Sequence, residues 1–465
     1  MKAESRTIWR DLREAVAGSH QDFTEGNLDR AILLLSAPMV LEMVMESMFA
    51  VVDVFFVARL GHDAVAAVGL TEAMVTILFA VALGLSMAAT ALVARRTGEK
   101  DHEAAAVAGV QAIWLGIVVG TVFGAVGMAF GPDLLRLMGA SEAVVRTGGG
   151  YTRVLFGGCT SLVLLFLINA VLRGAGDAAT AMRALWIGNA VNIALNPCFL
   201  FGLGPFPELG VTGSAVATSI GRTASVLYQL RVLTSGKSRL RVESRHWRLE
   251  PEVVRRMTRM ALNGTFQYLV ATASWMLLAR MVAAFGSAAS AGYTIAIRII
   301  VFAILPSWGL SNAAATLVGQ NLGARKPDRA AQSVWRTGLY NMAFLGLVTV
   351  VFVIFAEPLV GLFTSEPETL RTGVDSLRLI SYGYIAYAWG MVMVQAFNGA
   401  GDTRTPTLIN IGCYWCFQLP LAWWLSRATS LAERGVFMAI AIAETGIAVA
   451  GILAFRRGRW KSNVV

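Results

Sequence analysis

Hydrophobic and polar positions alternate along this chain on the scale of whole membrane thicknesses rather than of single helical turns. Apolar runs long enough to cross a bilayer, about 20 residues each, fall near 31–57, 65–94, 104–130, 150–172, 181–203 and 211–233. Six more follow near 257–283, 290–318, 330–355, 376–398, 406–425 and 435–455. Several exceed a bilayer's requirement, which predicts tilt or short extensions beyond it. The longest internal polar stretch, from Thr234 to about Met260, separates six runs from six. The pattern predicts an all-α polytopic membrane protein with twelve transmembrane helices in two six-helix lobes. Its expected organisation is a cytoplasmic N-terminal segment (1–30), an N-lobe (31–233), a basic cytoplasmic linker (234–256), a C-lobe (257–455) and a cytoplasmic tail (456–465).

The two halves repeat. A gapless shift of 225 residues carries Gly61 onto Gly286, Gly84 onto Gly309, Ser86 onto Ser311 and Gly98 onto Gly323. The same shift places Gly174-Ala175-Gly176-Asp177 on Gly399-Ala400-Gly401-Asp402, and Glu208 with Gly210-Val211 on Glu433 with Gly435-Val436. Chance apolar matching aligns leucines and valines, but not glycines and aspartates at one offset. Six spans is an even number, so both halves enter the membrane from the same side, as in transporters built from parallel repeats.

Composition agrees with a membrane chain. Hydrophobic residues make up 56% and charged residues 15%, with a mean hydropathy of +0.61, against about 45–50% and about 25% in soluble domains. The formal net charge of +10 gathers mostly in alternate connections. The positive-inside rule then places both termini and the linker, with Arg245, Arg248, Arg255, Arg256 and Arg259, in the cytoplasm. Those arginines read as an orientation signal and as contacts to anionic membrane lipids; no nucleic-acid partner is expected. The mixed-charge segment from Met1 to Arg30 lacks the layout of a signal peptide. Trp9, Leu12, Val16 and Phe23 give it the character of either a surface-lying amphipathic helix or a solvated tail.

Enzymatic chemistry finds little footing. His20, His62, His102 and His246 all lie in polar connections, and no phosphate-binding GxxxxGK[ST] run occurs. Cys413 and Cys416 have CxxC spacing, but no second pair completes a zinc site; with Cys159 and Cys198 they read as small packing residues.

Intramembrane charge is costly and marks function by default. Glu42, Glu46 and Asp53 fall in the first span. At 100° per residue, Glu46 and Asp53 lie about 40° and about 20° around the helix from Glu42, spread over about 16 Å. This carboxylate face must point away from lipid, and Pro38 favours a bend where it begins. The fifth span answers with Asn189, Asn192 and Asn196, just before Pro197. Asn169 ends the fourth span, and Ser214 and Thr218 recur in the sixth. At the 225-residue shift Glu42, Glu46 and Asp53 become Gln267, Ala271 and Leu278, so the second half lacks the set. It carries instead Tyr268, Trp275, Trp308, Tyr382, Tyr384, Tyr387 and Trp389, some placed to stack on a lipophilic cation and others to anchor at the interface. Gln267, Tyr268 and Asn189 are the candidates for a substrate cavity. Glu72, Arg222, Arg298 and Glu444 have no role assigned by pattern.

These residues resemble a known family, the multidrug and toxic compound extrusion (MATE) transporters, over essentially the whole chain. The resemblance rests on Pro38 with Asp53, followed by Ala58-Arg59-Leu60-Gly61, and on Arg173-Gly174-Ala175-Gly176-Asp177. Val318-Gly319-Gln320-Asn321-Leu322-Gly323 and Asn398-Gly399-Ala400-Gly401-Asp402-Thr403 complete it. It implies an inner-membrane antiporter, not an enzyme, that exports drug-like, often cationic compounds in exchange for H⁺ or Na⁺. No cofactor beyond the coupling ion and a monomeric state are expected. The family's first-span aspartate maps onto Asp53, its bending proline onto Pro38, and its polar cluster onto Asn169, Asn192, Asn196 and Ser214. Na⁺, if it is the ion, would draw on Asp53, Asn192 and Asn196. Asn196 stands where the family often has aspartate, which removes a charge that Glu42 or Glu46 would have to supply. The acidic residues some relatives carry in the seventh and tenth spans are also missing. A flippase for lipid-linked precursors, of related architecture, is the alternative. The major facilitator fold lacks support in Arg95-Arg96-Thr97-Gly98-Glu99, and a passive channel would need no counter-gradient.

Overall fold

The computed structural model describes residues 2–463 apart from His20 and Lys237; the side chains of residues 2–8, 50–55 and 58 also lie outside the described residues. After the amphipathic α1 (Lys2–Ala17) come α2 (Leu28–Val57), α3 (His62–Gly98), α4 (His102–Leu137), α5 (Glu142–Gly157), α6 (Cys159–Gly174), α7 (Ala178–Phe201) and α8 (Val211–Thr234). The second half contains α9 (Pro251–Ala283), α10 (Ser287–Gly323), α11 (Pro327–Gly361), α12 (Pro367–Ser381), α13 (Tyr384–Gly399), α14 (Arg404–Asn410), α15 (Leu419–Arg427) and α16 (Glu433–Arg456). A π-helical segment, Ile411–Gln418, joins α14 to α15. Each of the twelve apolar runs is thus a helix or a helix with an internal irregularity. Among the described residues eight helices are long and apolar enough to cross a membrane, and the bent pair α5–α6 makes a ninth. Outward-facing Val118, Val122 and Val126 on α4, and Leu347, Val350 and Ile354 on α11, give these helices the apolar exterior that lipid requires.

The chain forms two compact units, Met1–Asp22 with Leu33–Thr265 and Phe23–Ile32 with Phe266–Val465. The linker belongs to the first unit and is docked there rather than solvated. Gln111 of α4 clamps it, donating to Arg248 O at 2.9 Å and accepting from Glu250 N at 3.2 Å, while Arg245 pairs with Glu103 and Glu243. In α1, Trp9 and Val16 remain outward while Ala15 is buried.

The repeat is physical as well as textual. Gly61 and Gly286 have φ of 96° and 116°, Lys100 and Arg325 of 61° and 58°, Gly176 and Gly401 of 85° and 80°. Each pair is 225 residues apart. The repeated aspartates are helix caps: Asp177 accepts from Thr180 N at 3.2 Å, and Asp402 from Thr405 N at 3.1 Å, satisfying amides that a helix start leaves open. Two single spans of the sequence pattern are broken. The fourth bends by 43° between α5 and α6 at Gly158, and the tenth is interrupted at Tyr382–Gly383, where Gly383 again lies 225 residues on. Both glycines admit a neighbour: a Cβ would lie 3.1 Å from Ser219 Cβ at Gly158 and 2.8 Å from Ala441 Cα at Gly383.

The glycine opening each repeated Gly-Ala-Gly-Asp lets helices cross closely. A Cβ at Gly174 would sit 3.0 Å from Thr90 O on α3; at Gly399 it would sit 2.6 Å from Ala315 Cα on α10 and closer still to its carbonyl. Overpacking a tight interior costs about 1–3 kcal/mol. Gly399→Ala is therefore expected to lose stability near the top of that range and Gly174→Ala near the bottom, as thermal unfolding in detergent would register; equal losses would refute the packing difference.

Part of the expected aromatic lining is core instead. Tyr384 is 2% exposed and edge-on to Phe352, and Trp389 packs on Trp335 at 5.5 Å. Tyr382 faces outward.

Candidate functional site

The candidate site lies in the first unit, where α2, α6, α7 and α8 bring polar side chains together. Its spacing is set by small residues: at Gly221 a Cβ would be 2.5 Å from Gly188 O and 3.2 Å from Asn192 Cβ, so α7 and α8 pack backbone to backbone. That approach lets Asn192 donate to Thr218 Oγ1 at 2.8 Å and Ser225 to Ala184 O at 2.7 Å. Pro38 lies inside α2, four residues before Glu42, where its ring removes one backbone hydrogen bond.

The carboxylates of α2 enter two different networks. Glu42 is 2% exposed. Its Oε1 accepts from Asn169 Nδ2 at 3.0 Å and faces Arg173 Nη1 at 3.4 Å, and Asn169 Oδ1 accepts in turn from Gln229 Nε2 at 2.5 Å. One turn further on, Glu46 lines a small pocket together with Phe49, Phe166, Asn189, Asn192, Thr218 and Arg222. Arg222 is its cationic neighbour and Asn189 its amide neighbour. Asn196, further along α7, and Ser214, in the first turn of α8, are fully buried. Asp53 occupies the last turns of α2, and its side chain lies outside the described residues. Of the candidates for a substrate cavity, Asn189 lines this pocket. Gln267 and Tyr268 belong to the second unit, where Gln267 is 4% exposed.

Glu42 Oε2 and Gln229 Oε1 have no hydrogen-bond partner among the described residues. Leaving such atoms without any partner would cost about 1–3 kcal/mol each. The pattern of the chain did not single out Arg173, Arg222 or Gln229 for this cluster. A signal was present, since Ser214, Thr218, Arg222, Ser225 and Gln229 form one polar stripe along α8. Arg173 was legible only as part of a loop motif; its reach back to Glu42 is a tertiary fact.

A buried acid–amide–arginine network within a repeated helical membrane fold suits a membrane transporter rather than an enzyme. Comparison with known proteins agrees. The MatE family model matches twice, over residues 38–198 and 265–424, once in each half. The chain is 28% identical to "Probable multidrug resistance protein YoeA" of Bacillus subtilis (strain 168), covering 88% of this chain and 89% of that one. It is 24% identical to "Probable multidrug resistance protein NorM" of Thermotoga maritima, covering 94% of each. A crystal structure of MATE in complex with MaL6 superposes with a TM-score of 0.88 at 26% identity, covering 95% of this chain and 99% of that one. The chain belongs to the MatE family, the multidrug and toxic compound extrusion transporters, and is an all-helical, multi-pass membrane protein with that family's two-lobe fold.

Proposed function

We propose that the protein is a secondary antiporter of the inner membrane, with cytoplasmic termini, that exports lipophilic and often cationic compounds in exchange for a cation by alternating access. The observation that carries this reading is the first-unit pocket, in which Glu46 stands among Asn189, Asn192, Thr218 and Arg222. A carboxylate that gains and loses a cation there changes the charge of the pocket, and the membrane potential supplies about 2.3 kcal/mol per charge per 100 mV. H⁺ suits this site better than Na⁺. Arg222 presents a positive charge beside Glu46, and Asn196 brings none of the negative charge that a metal cation would want. Asp53 is the second coupling group, at the position that carries this role in the family. The small-molecule substrate is expected to enter as a drug-like compound, as the names of the relatives suggest.

The test is efflux of a fluorescent lipophilic cation from proteoliposomes under separately imposed pH and Na⁺ gradients. Flux driven by the pH gradient in wild type and lost in Asp53→Asn is the expected result. Flux driven only by Na⁺ would overturn the choice of ion, and flux indifferent to both gradients would overturn antiport and favour a flippase or a passive pore.

A further inference from the structure

The second unit buries a carboxylate for which the transport reading has no use. Glu444 lies halfway along α16, 4% exposed, and its Oε1 accepts a hydrogen bond from the Tyr414 hydroxyl at 3.3 Å. Tyr414, itself buried, stands on the π segment. Helix α16 packs against α12, α13, α14, the π segment and α15. From α13, Tyr387 faces the carboxylate, and from the π segment Tyr414 and Cys413 do so. The charges of the other elements go elsewhere. On α12, Asp375 pairs with Arg434 at the start of α16 and Arg378 donates to Val353 O; Arg404 and Arg427 sit at the outer ends of α14 and α15. No ion pair to Glu444 occurs among the described residues.

A glutamine would serve a purely structural hydrogen bond to Tyr414 at far lower cost, because an ionised carboxylate in an apolar interior pays heavily for lost hydration. A phenol, however, both donates and accepts, so Tyr414 can satisfy a carboxylate as a donor and a carboxylic acid as an acceptor. Two carboxylate and two phenol oxygens are too few to replace the water shell of a metal ion, and the burial excludes a drug-sized ligand. The chemistry left is that of a proton.

The π segment gives such a proton something to act on. Pro420 has no N–H to return to the preceding turn, and Leu419 N bonds Tyr414 O, five residues back, which closes the wide turn at Tyr414 itself. The corresponding stretch of the first half is the uninterrupted α7, where Leu195 stands in place of Pro420. Single π turns inside helices recur at functional sites.

We propose that Glu444 is a proton-binding site of the second unit, read out through Tyr414 by the π segment. A proton from water adds to a carboxylate oxygen; the neutral acid then donates to a phenol oxygen, and Tyr414 is released from the charge that held it. The proposal is independent of the first-unit coupling site, and its test needs no substrate.

The test is infrared difference spectroscopy of the full chain in lipid nanodiscs, titrated between about pH 4 and about pH 10. A carboxylic-acid carbonyl band should fade with rising pH, vanish in Glu444→Gln and shift in frequency in Tyr414→Phe. Should Glu444→Gln fail to fold, Glu444→Asp keeps the question open to a result, because it must move the midpoint of the band. In parallel, amide exchange over 411–418, corrected for its intrinsic pH dependence, should change roughly tenfold across the titration in wild type and stay flat in Glu444→Gln. A band that persists in Glu444→Gln, or one that never changes with pH, overturns the site. A titrating band with unchanged exchange overturns the readout through the π segment.

Discussion

Arg173→Ala is expected to unfold the protein more easily than any other single change in the first-unit cluster. Arg173 and Glu42 are 13% and 3% exposed at the side chain, so removing the guanidinium strands a carboxylate that is buried away from bulk water. Breaking a buried pair from one side costs about 3–5 kcal/mol. Adding Glu42→Gln removes the stranded charge while keeping the amide-compatible hydrogen bond to Asn169, so the double variant should recover most of the loss. Thermal or denaturant unfolding in detergent measures all three proteins. A double variant no more stable than Arg173→Ala alone would show that Arg173 acts by packing its stem and not by answering the charge of Glu42.

The second large effect is functional. Glu46→Gln should lower gradient-driven efflux at least about tenfold, equivalent to about 1.4 kcal/mol of lost driving interaction, with a much smaller change in stability. Glu46 faces a pocket, whereas Glu42 is committed to Asn169 and Arg173. Glu42→Gln should accordingly show the reverse balance, retaining more flux and altering stability more. Efflux rates beside melting curves for the two glutamine variants separate the roles. If both variants lose flux equally at unchanged stability, the two carboxylates act as one site and the division drawn from their partners fails.

Helical geometry made the carboxylate face of α2 legible, because 100° per residue places Glu42 and Glu46 within about 40° of each other. It could not divide them. A rise of about 6 Å over four residues is enough to put one beside Asn169 and the other beside Asn189, and only the packing of α6 and α7 decides that. The aspartates of the repeat were equally visible as letters, but their use as caps depends on where helices begin. The breaks at Gly158 and Gly383 escaped notice since apolar runs continue through them and the reason is a neighbouring helix. The π segment was equally hidden, although Pro420 stands just after it. Arg222 was visible as an ionisable residue in the middle of a run, but pattern gave it no role, and only the meeting of α7 and α8 puts it in a pocket.

The way the chain is divided between its two units bears on any attempt to take it apart. Phe23–Ile32 belongs with the second half, where Arg329 donates to Gly26 O at 3.0 Å and Tyr340 to Asp29 at 2.7 Å. Pro251–Thr265, the opening of α9, belongs with the first, where Gly84 approaches Ala261 O so closely that a Cβ would be 2.5 Å away. Each half of the gene thus encodes the first turns of a helix that matures in the other half's company. Cutting the polypeptide in the basic linker, the obvious place, would yield two fragments each holding a piece of its sibling, and neither would be a self-sufficient product of the ancestral duplication.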